Sequence, residues 1–225
     1  MSTALYANKI PRRALLALPA ALLMARPALA DEKLVPAAKI YAYLEPFLKV
    51  PPTERSRVRL DYFLLKDGKP AQGVLAWFVT ADGRRTAAPI GSDGRLLRIP
   101  NLGELQGGVK VAFNLDASAK MGVRLELGPA MHPAQEMEAL ELARSIDEVN
   151  RVIAKAAGAM ALVAPKMAQI VCVGAPSGVA VMANGSTQPL GIVRGAASYN
   201  PFVVKGAVKV RLVKAPVRLQ FAPQK

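Results

Sequence analysis

One cysteine and one histidine are present among the 225 residues. A lone cysteine excludes a disulfide framework within the chain and any thiolate zinc cluster, and a lone histidine excludes multi-histidine metal centres. Aromatics make up 5% of the chain, too few for an aromatic-lined binding face to be read from composition. No G-x-S-x-G and no Ser-x-x-Lys occurs, so a serine nucleophile has no local signature. Neither a phosphate-binding G-x-x-x-x-G-K-[ST] loop nor a G-x-G-x-x-G turn stands between a strand and a helix, so nucleotide binding has no motif either. Disorder is excluded from the other side, since hydrophobic residues reach 52%.

What is present begins with a leader. Lys9, Arg12 and Arg13 precede an apolar run, Ala14 to Ala25, and Arg26-Pro27 opens onto Ala28-Leu29-Ala30. A basic start, a short apolar core and an A-x-A site predict a signal peptide over residues 1–30, cleaved after Ala30. The apolar run is shorter than the roughly 20 residues a permanent membrane helix needs. Arg12-Arg13 is also similar to a twin-arginine export signal, without the usual Ser or Thr before the pair, so both export routes stay open. The expected location is the periplasm or the exterior, with no membrane-spanning segment in the mature chain.

Charge is unevenly spread. The chain carries 30 basic and 16 acidic residues, a formal net charge of +14. Residues 162–225 contain eight basic side chains and no acidic one. Such a segment creates a positive field that attracts anions. Lys205, Lys209, Arg211, Lys214 and Arg218 are the candidate anion-binding residues. The alternative is that basic residues on edge strands keep those strands from pairing with other chains.

The pattern of elements is mainly β. A spacing of three to four in Ile40, Tyr41, Leu44, Phe47 and Leu48 predicts a helical segment within 31–52. From 53 to 128 the period becomes two. Val58 to Leu64, Gly73 to Thr80, Arg95 to Ile99, Val109 to Leu115 and Gly122 to Leu127 read as strands punctuated by Asp-Gly and Gly-Gly turns. Short alternating strands must bury one face against a second sheet, which predicts a β-sandwich. The runs Lys66-Asp67-Gly68-Lys69-Pro70 to Gly73-Val74 and Ser92-Asp93-Gly94-Arg95 to Pro100 resemble the hairpins of bacterial immunoglobulin-like and carboxypeptidase-regulatory-like sandwich modules. This likeness covers about 35 residues and implies fold alone, with no catalytic residue.

Pro133 to Met160 differs in kind. Leu142, Ile146, Val149, Ile153 and Met160 recur at helical spacing, and Glu136 and Glu138 would lie in the first turns. A long helix over about 133–160, within a segment 129–161, is expected as a crossover or cap, its charged face of Glu141, Arg144, Glu148, Arg151 and Lys155 in water. Met167 to Val173, Val179 to Met182, Phe202 to Val213 and Val217 to Phe221 then read as strands, with Asn184-Gly185 as a hairpin turn. Residues 162–225 either complete the first sandwich or form a small second β unit. Lys209 and Arg211, with Arg218, would present charge on one face of the sheet, while Val208, Val210, Leu212 and Leu219 anchor the other.

Other candidates weigh toward structure. His132 sits between Met131 and Pro133 at the expected helix start with no nucleophile placed beside it. Cys172 lies between two valines in an apolar strand, where a thiol is inert. Glu136, Glu138 and Glu141 suit a helix terminus better than acid–base work, and Tyr41, Tyr43 and Trp77 suit a core better than a sugar platform. Gly174-Ala175-Pro176-Ser177-Gly178 reads as a connection. No catalytic residue, cofactor or metal is assigned. The expected function is that of an exported accessory or binding protein, not an enzyme, recognising anionic lipid headgroups or envelope polyanions. A structural module docking on an envelope protein is the alternative, and an exported enzyme or cofactor carrier a third. Nucleic acid is not expected, because export separates the protein from it and aromatics do not interleave with the basic residues.

Overall fold

A computed structural model of the protein describes residues 32–115, 118–158 and 164–223. The expected leader, with Arg12, Arg13, Ala28 and Ala30, and the helix-end residue Met160 lie outside the described residues.

The chain runs through β1 (Lys33–Pro36), α1 (Ala37–Ile40), α2 (Leu44–Lys49), a 3-10 turn at Pro52–Glu54, β2 (Val58–Lys66), β3 (Lys69–Pro70), β4 (Ala76–Val79), β5 (Arg85–Ala87), α3 (Leu102–Gln106), β6 (Lys110–Phe113), β7 (Met121–Pro129), β8 (Glu136–Glu138), α4 (Ala139–Ala157), β9 (Met167–Val173), β10 (Gly178–Met182), β11 (Thr187–Pro189), β12 (Gly191–Val193), β13 (Ala196–Tyr199), β14 (Ala207–Leu212) and β15 (Arg218–Pro223). Mainly β with helices is the observed class. Among the described residues the strands form four antiparallel sheets, in the orders β1-β6-β4-β5, β3-β2-β7, β11-β10-β14-β8 and β12-β13-β9-β15. The strands after α4 therefore pair with one another and with β8, and not with β1 to β7. The buried apolar residues nevertheless form one continuous cluster that joins Leu60 and Tyr62 to Leu142, Ile146, Ile170 and Leu212. No helix among the described residues is long and apolar enough to cross a membrane.

Several expectations are corrected. The N-terminal segment opens with a strand paired to β6 and then breaks into two short helices, because Tyr43 takes a left-handed conformation (φ 64°) between them. The helix expected from 133 starts at Ala139 instead. Glu136 and Glu138 belong to β8, opposite Arg211 and Lys209 of β14, where cross-strand opposite charges favour the extended chain. The segment Arg95 to Ile99 forms isolated bridges, Phe63 with Arg95 and Ile90 with Leu96, in place of a strand. β14 begins five residues later than expected, since Asn200 accepts the Val203 and Val204 N–H groups and bends Pro201 to Lys205 into turns. α3, capped by Asn101 and Glu104 in a reciprocal box, and the β12–β13 hairpin are additions.

α4 is amphipathic as expected. Leu142, Ile146, Val149 and Val152 are buried, each contributing about 1.5–3 kcal/mol. The Asn150 side-chain amide donates to the Met167 carbonyl at 2.9 Å and its oxygen accepts the Met167 N–H at 2.8 Å, fixing the helix to the start of β9. Glu148 is an exception to the solvated face. It is buried, and it accepts the Arg57 backbone N–H while the Arg57 guanidinium lies 3.4 Å from its second oxygen, because α4 lies against the entry to β2.

Candidate functional site

β2 alternates as its sequence dictates. Leu60, Tyr62 and Leu64 enter the core, and Arg59, Asp61 and Phe63 take the other face. The β7 register places Gly128 opposite Arg59, Glu126 opposite Asp61 and Arg124 opposite Phe63. Residues directly opposite share a face, so two carboxylates stand side by side on this surface, an arrangement that repels on its own. Guanidinium groups offset it. Arg59 Nε lies 2.8 Å from Asp61, and Arg95 Nη1 lies 3.8 Å from it. Arg124 Nε is 2.9 Å from Glu126, and Arg218 Nε is 2.8 Å from the other oxygen of the same group. The two acid side chains are 12% and 7% exposed, whereas the four arginine side chains around them keep between 29% and 45% of their surface in water.

Phe63 completes the cluster. It is 1% exposed although it lies outside the main core, because Arg124 covers its ring at 4.8 Å and Arg218 at 5.5 Å. Cation–ring contact of this kind contributes on the order of 1 kcal/mol per pair.

Two glycines bring the arginines together. Gly94 adopts φ +84° with its Cβ position 2.7 Å from the Leu64 carbonyl, which no other residue tolerates. The close approach lets the Leu64 N–H donate to Gly94 and the Leu96 N–H to Tyr62, setting Arg95 beside Phe63 on the side of β2 away from β7. At Gly128 the Cβ position is 2.5 Å from the Leu219 carbonyl, so β15 crosses β7 there in backbone contact and carries Arg218 onto Glu126.

The five basic residues singled out from the sequence separate. Lys209 and Arg211 both grip Glu136, with Nζ and Nε donating at 2.7 and 2.9 Å. Hydrogen bonding, first by Lys209 and then by Arg211, holds the Glu136 carboxyl below its ordinary range, and Glu136 in turn raises Lys209. Lys205 and Lys214 are exposed on the loops at either end of β14. Arg218 belongs to β15, in a different sheet from Lys209 and Arg211, so the three do not share one face as expected. Val208 is exposed, while Val210, Leu212 and Leu219 are buried as anchors. Arg59, Arg95 and Arg124 were not singled out. Their signal was the repeated basic-x-acidic spacing, Arg59-x-Asp61 and Arg124-x-Glu126, whose meaning depends on a register the sequence does not print.

The remaining candidates are dispersed. His132 is exposed on the loop between β7 and β8, away from the start of α4. Cys172 is fully buried, and burial pushes its thiol up to about 12. Tyr41 packs in the core against Tyr62 and Phe78, Tyr43 is exposed, and Trp77 sits under Arg85. Among the described residues no group of three or more His, Cys, Asp or Glu is placed to hold a metal. An apolar cavity of about 570 Å³ lies between α2, the C-terminal half of α4 and the inner side of β2 and β7, lined by Leu60, Leu125, Leu127, Val152 and Met167. It opens on the opposite side of the β2–β7 pair from the arginines, so the two do not form one site. Comparison of the chain with protein-family models, curated proteins and solved structures finds no match.

Proposed function

We propose that the protein is an exported, non-enzymatic binding or accessory protein of the periplasm or cell envelope that recognises an anionic envelope component through the arginine cluster over Phe63. The observation that carries this reading is the convergence of four guanidinium groups, from β2, the 91–100 loop, β7 and β15, on two carboxylates. Folding has gathered more positive charge than the local acids neutralise, and a surplus of fixed charge on an open face attracts anions. The leader over 1–30 supports the location. The same reading keeps an immunoglobulin-like sandwich as the proposed fold of residues 53–128, supported by the alternation and antiparallel pairing of their strands.

Sedimentation of the purified protein with vesicles containing phosphatidylglycerol tests the proposal. Binding is expected at about 50 mM salt and falls steeply by about 200 mM. Reversing Arg95 and Arg124 to Glu abolishes it, whereas reversing Lys209 and Arg211, already neutralised in part by Glu136, has the smaller effect. Binding indifferent to salt, or to the Arg95 and Arg124 reversal, refutes the proposal.

A further inference from the structure

The four arginines divide into two roles. Arg59 and Arg218 each bring Nε to 2.8 Å of a carboxylate oxygen, close enough to hydrogen-bond and neutralise Asp61 and Glu126. Arg95 and Arg124 are the surplus. Arg95 reaches Asp61 no closer than 3.8 Å, beyond hydrogen-bonding distance, and its buried Nε has no partner among the described residues. Arg124 brings Nε to 2.9 Å of Glu126, but Arg218 already holds that carboxylate with two hydrogen bonds, through Nε and Nη2, and the Arg124 guanidinium stacks on Phe63. These two are also the most exposed of the four, at 40% and 45% of the side chain.

Their placement is symmetric about one residue. Phe63 is bridged to Arg95 on one side and paired with Arg124 on the other, so the three lie in a row across the sheet. With strands about 4.8 Å apart, the two arginine backbones stand roughly 10 Å from each other, a span that two long side chains close around a single small group. Each guanidinium presents several N–H donors in a planar fork suited to oxyanions.

Resting on the anion-binding reading above, we infer that the group recognised is a phosphate monoester dianion, held between Arg95 and Arg124 over Phe63. Two surplus charges match a group carrying close to −2 with three acceptor oxygens. A phosphodiester or carboxylate monoanion leaves one guanidinium uncompensated. The open face fits a phosphate that projects from a larger molecule or a surface, or free phosphate itself.

The test compares vesicles of phosphatidylcholine doped with phosphatidic acid, a monoester, against the same vesicles doped with phosphatidylglycerol, a diester, at equal surface charge and ionic strength. Several-fold tighter binding to the monoester is expected. Arg95→Gln or Arg124→Gln removes that preference and weakens monoester binding by about tenfold or more, with the urea midpoint of each variant confirming the fold. Arg95→Lys, which keeps the charge and loses the fork, recovers part of it. Inorganic phosphate that displaces the protein assigns the site to the free group, and retention on phosphatidic acid in its presence assigns it to a surface-borne one; the dianion inference stands in both. Equal binding to the two lipids that still depends on Arg95 and Arg124 overturns the dianion inference and leaves general anion binding intact. Monoester binding unaffected by both glutamine variants overturns the inference and the site together.

Discussion

Two glycines on β7 separate the packing argument from strand propensity. Gly122 and Gly128 lie on the same face of the same strand, and neither occupies the left-handed region. On propensity alone, alanine at either position adds stability, about 0.5–1 kcal/mol, by restricting the unfolded chain. Their surroundings differ. A Cβ at Gly122 meets Leu65 Cβ at 3.8 Å, an ordinary contact, whereas a Cβ at Gly128 meets the Leu219 carbonyl oxygen at 2.5 Å. That contact lies about half an ångström inside the closest approach a packed interior tolerates, and the obstacle is backbone that cannot rotate away. β15 must lift, loosening the Arg218 clamp on Glu126 and the seating of Leu219 and Phe221 in the core. Overpacking of this kind costs about 1–3 kcal/mol. Gly128→Ala is therefore expected to lose about 1–2 kcal/mol net, lowering the thermal midpoint by roughly 2–8 °C, while Gly122→Ala is neutral or stabilising. Urea and thermal unfolding of the three proteins by circular dichroism measures both. A Gly128→Ala protein as stable as Gly122→Ala would refute the crossing of β15 over β7, and with it the delivery of Arg218 to the cluster.

Burial and backbone conformation lead to three further outcomes. Cys172, raised from 9.0 to about 12 by burial, is expected to resist a thiol reagent at pH 8 in the native protein and to react fully in denaturant; comparable rates in both states would sink the reading. Because the folded value lies above the unfolded one, the stabilisation is complete below pH 9.0 and is lost as pH rises toward about 12, and burial raises Tyr41 and Tyr62 in the same direction, so unfolding should set in on the alkaline side. Tyr43, left-handed and 74% exposed, gains little from its ring, and Tyr43→Gly is expected to raise stability by about 0.5–1 kcal/mol; a loss of more than that in urea unfolding would mean the ring holds a contact of its own.

The sequence by itself determined the local alternatives. Period-two runs with Asp-Gly and Asn-Gly turns placed β2, β7, β9, β10 and β15 within a few residues, because strand alternation and turn geometry are written in neighbouring side chains. The spacing of Leu142, Ile146 and Val149 marked α4 for the same reason. It also singled out Arg218, from an uncompensated run of basic residues. Where a local preference met a stronger distant partner, the fold overruled it. Glu136 and Glu138 would suit a helix start, but the cations of β14 drew them into a strand, and Glu148 was drawn out of water by Arg57. The cluster over Phe63 belongs wholly to this second kind. Its residues at 59–63, 95, 124–126 and 218 are distant in sequence. Only the β2–β7 register, the tight turn at Gly94 and the crossing of β15 at Gly128 set the four guanidiniums around two carboxylates, since charge convergence is a property of distance in space and not of order along the chain.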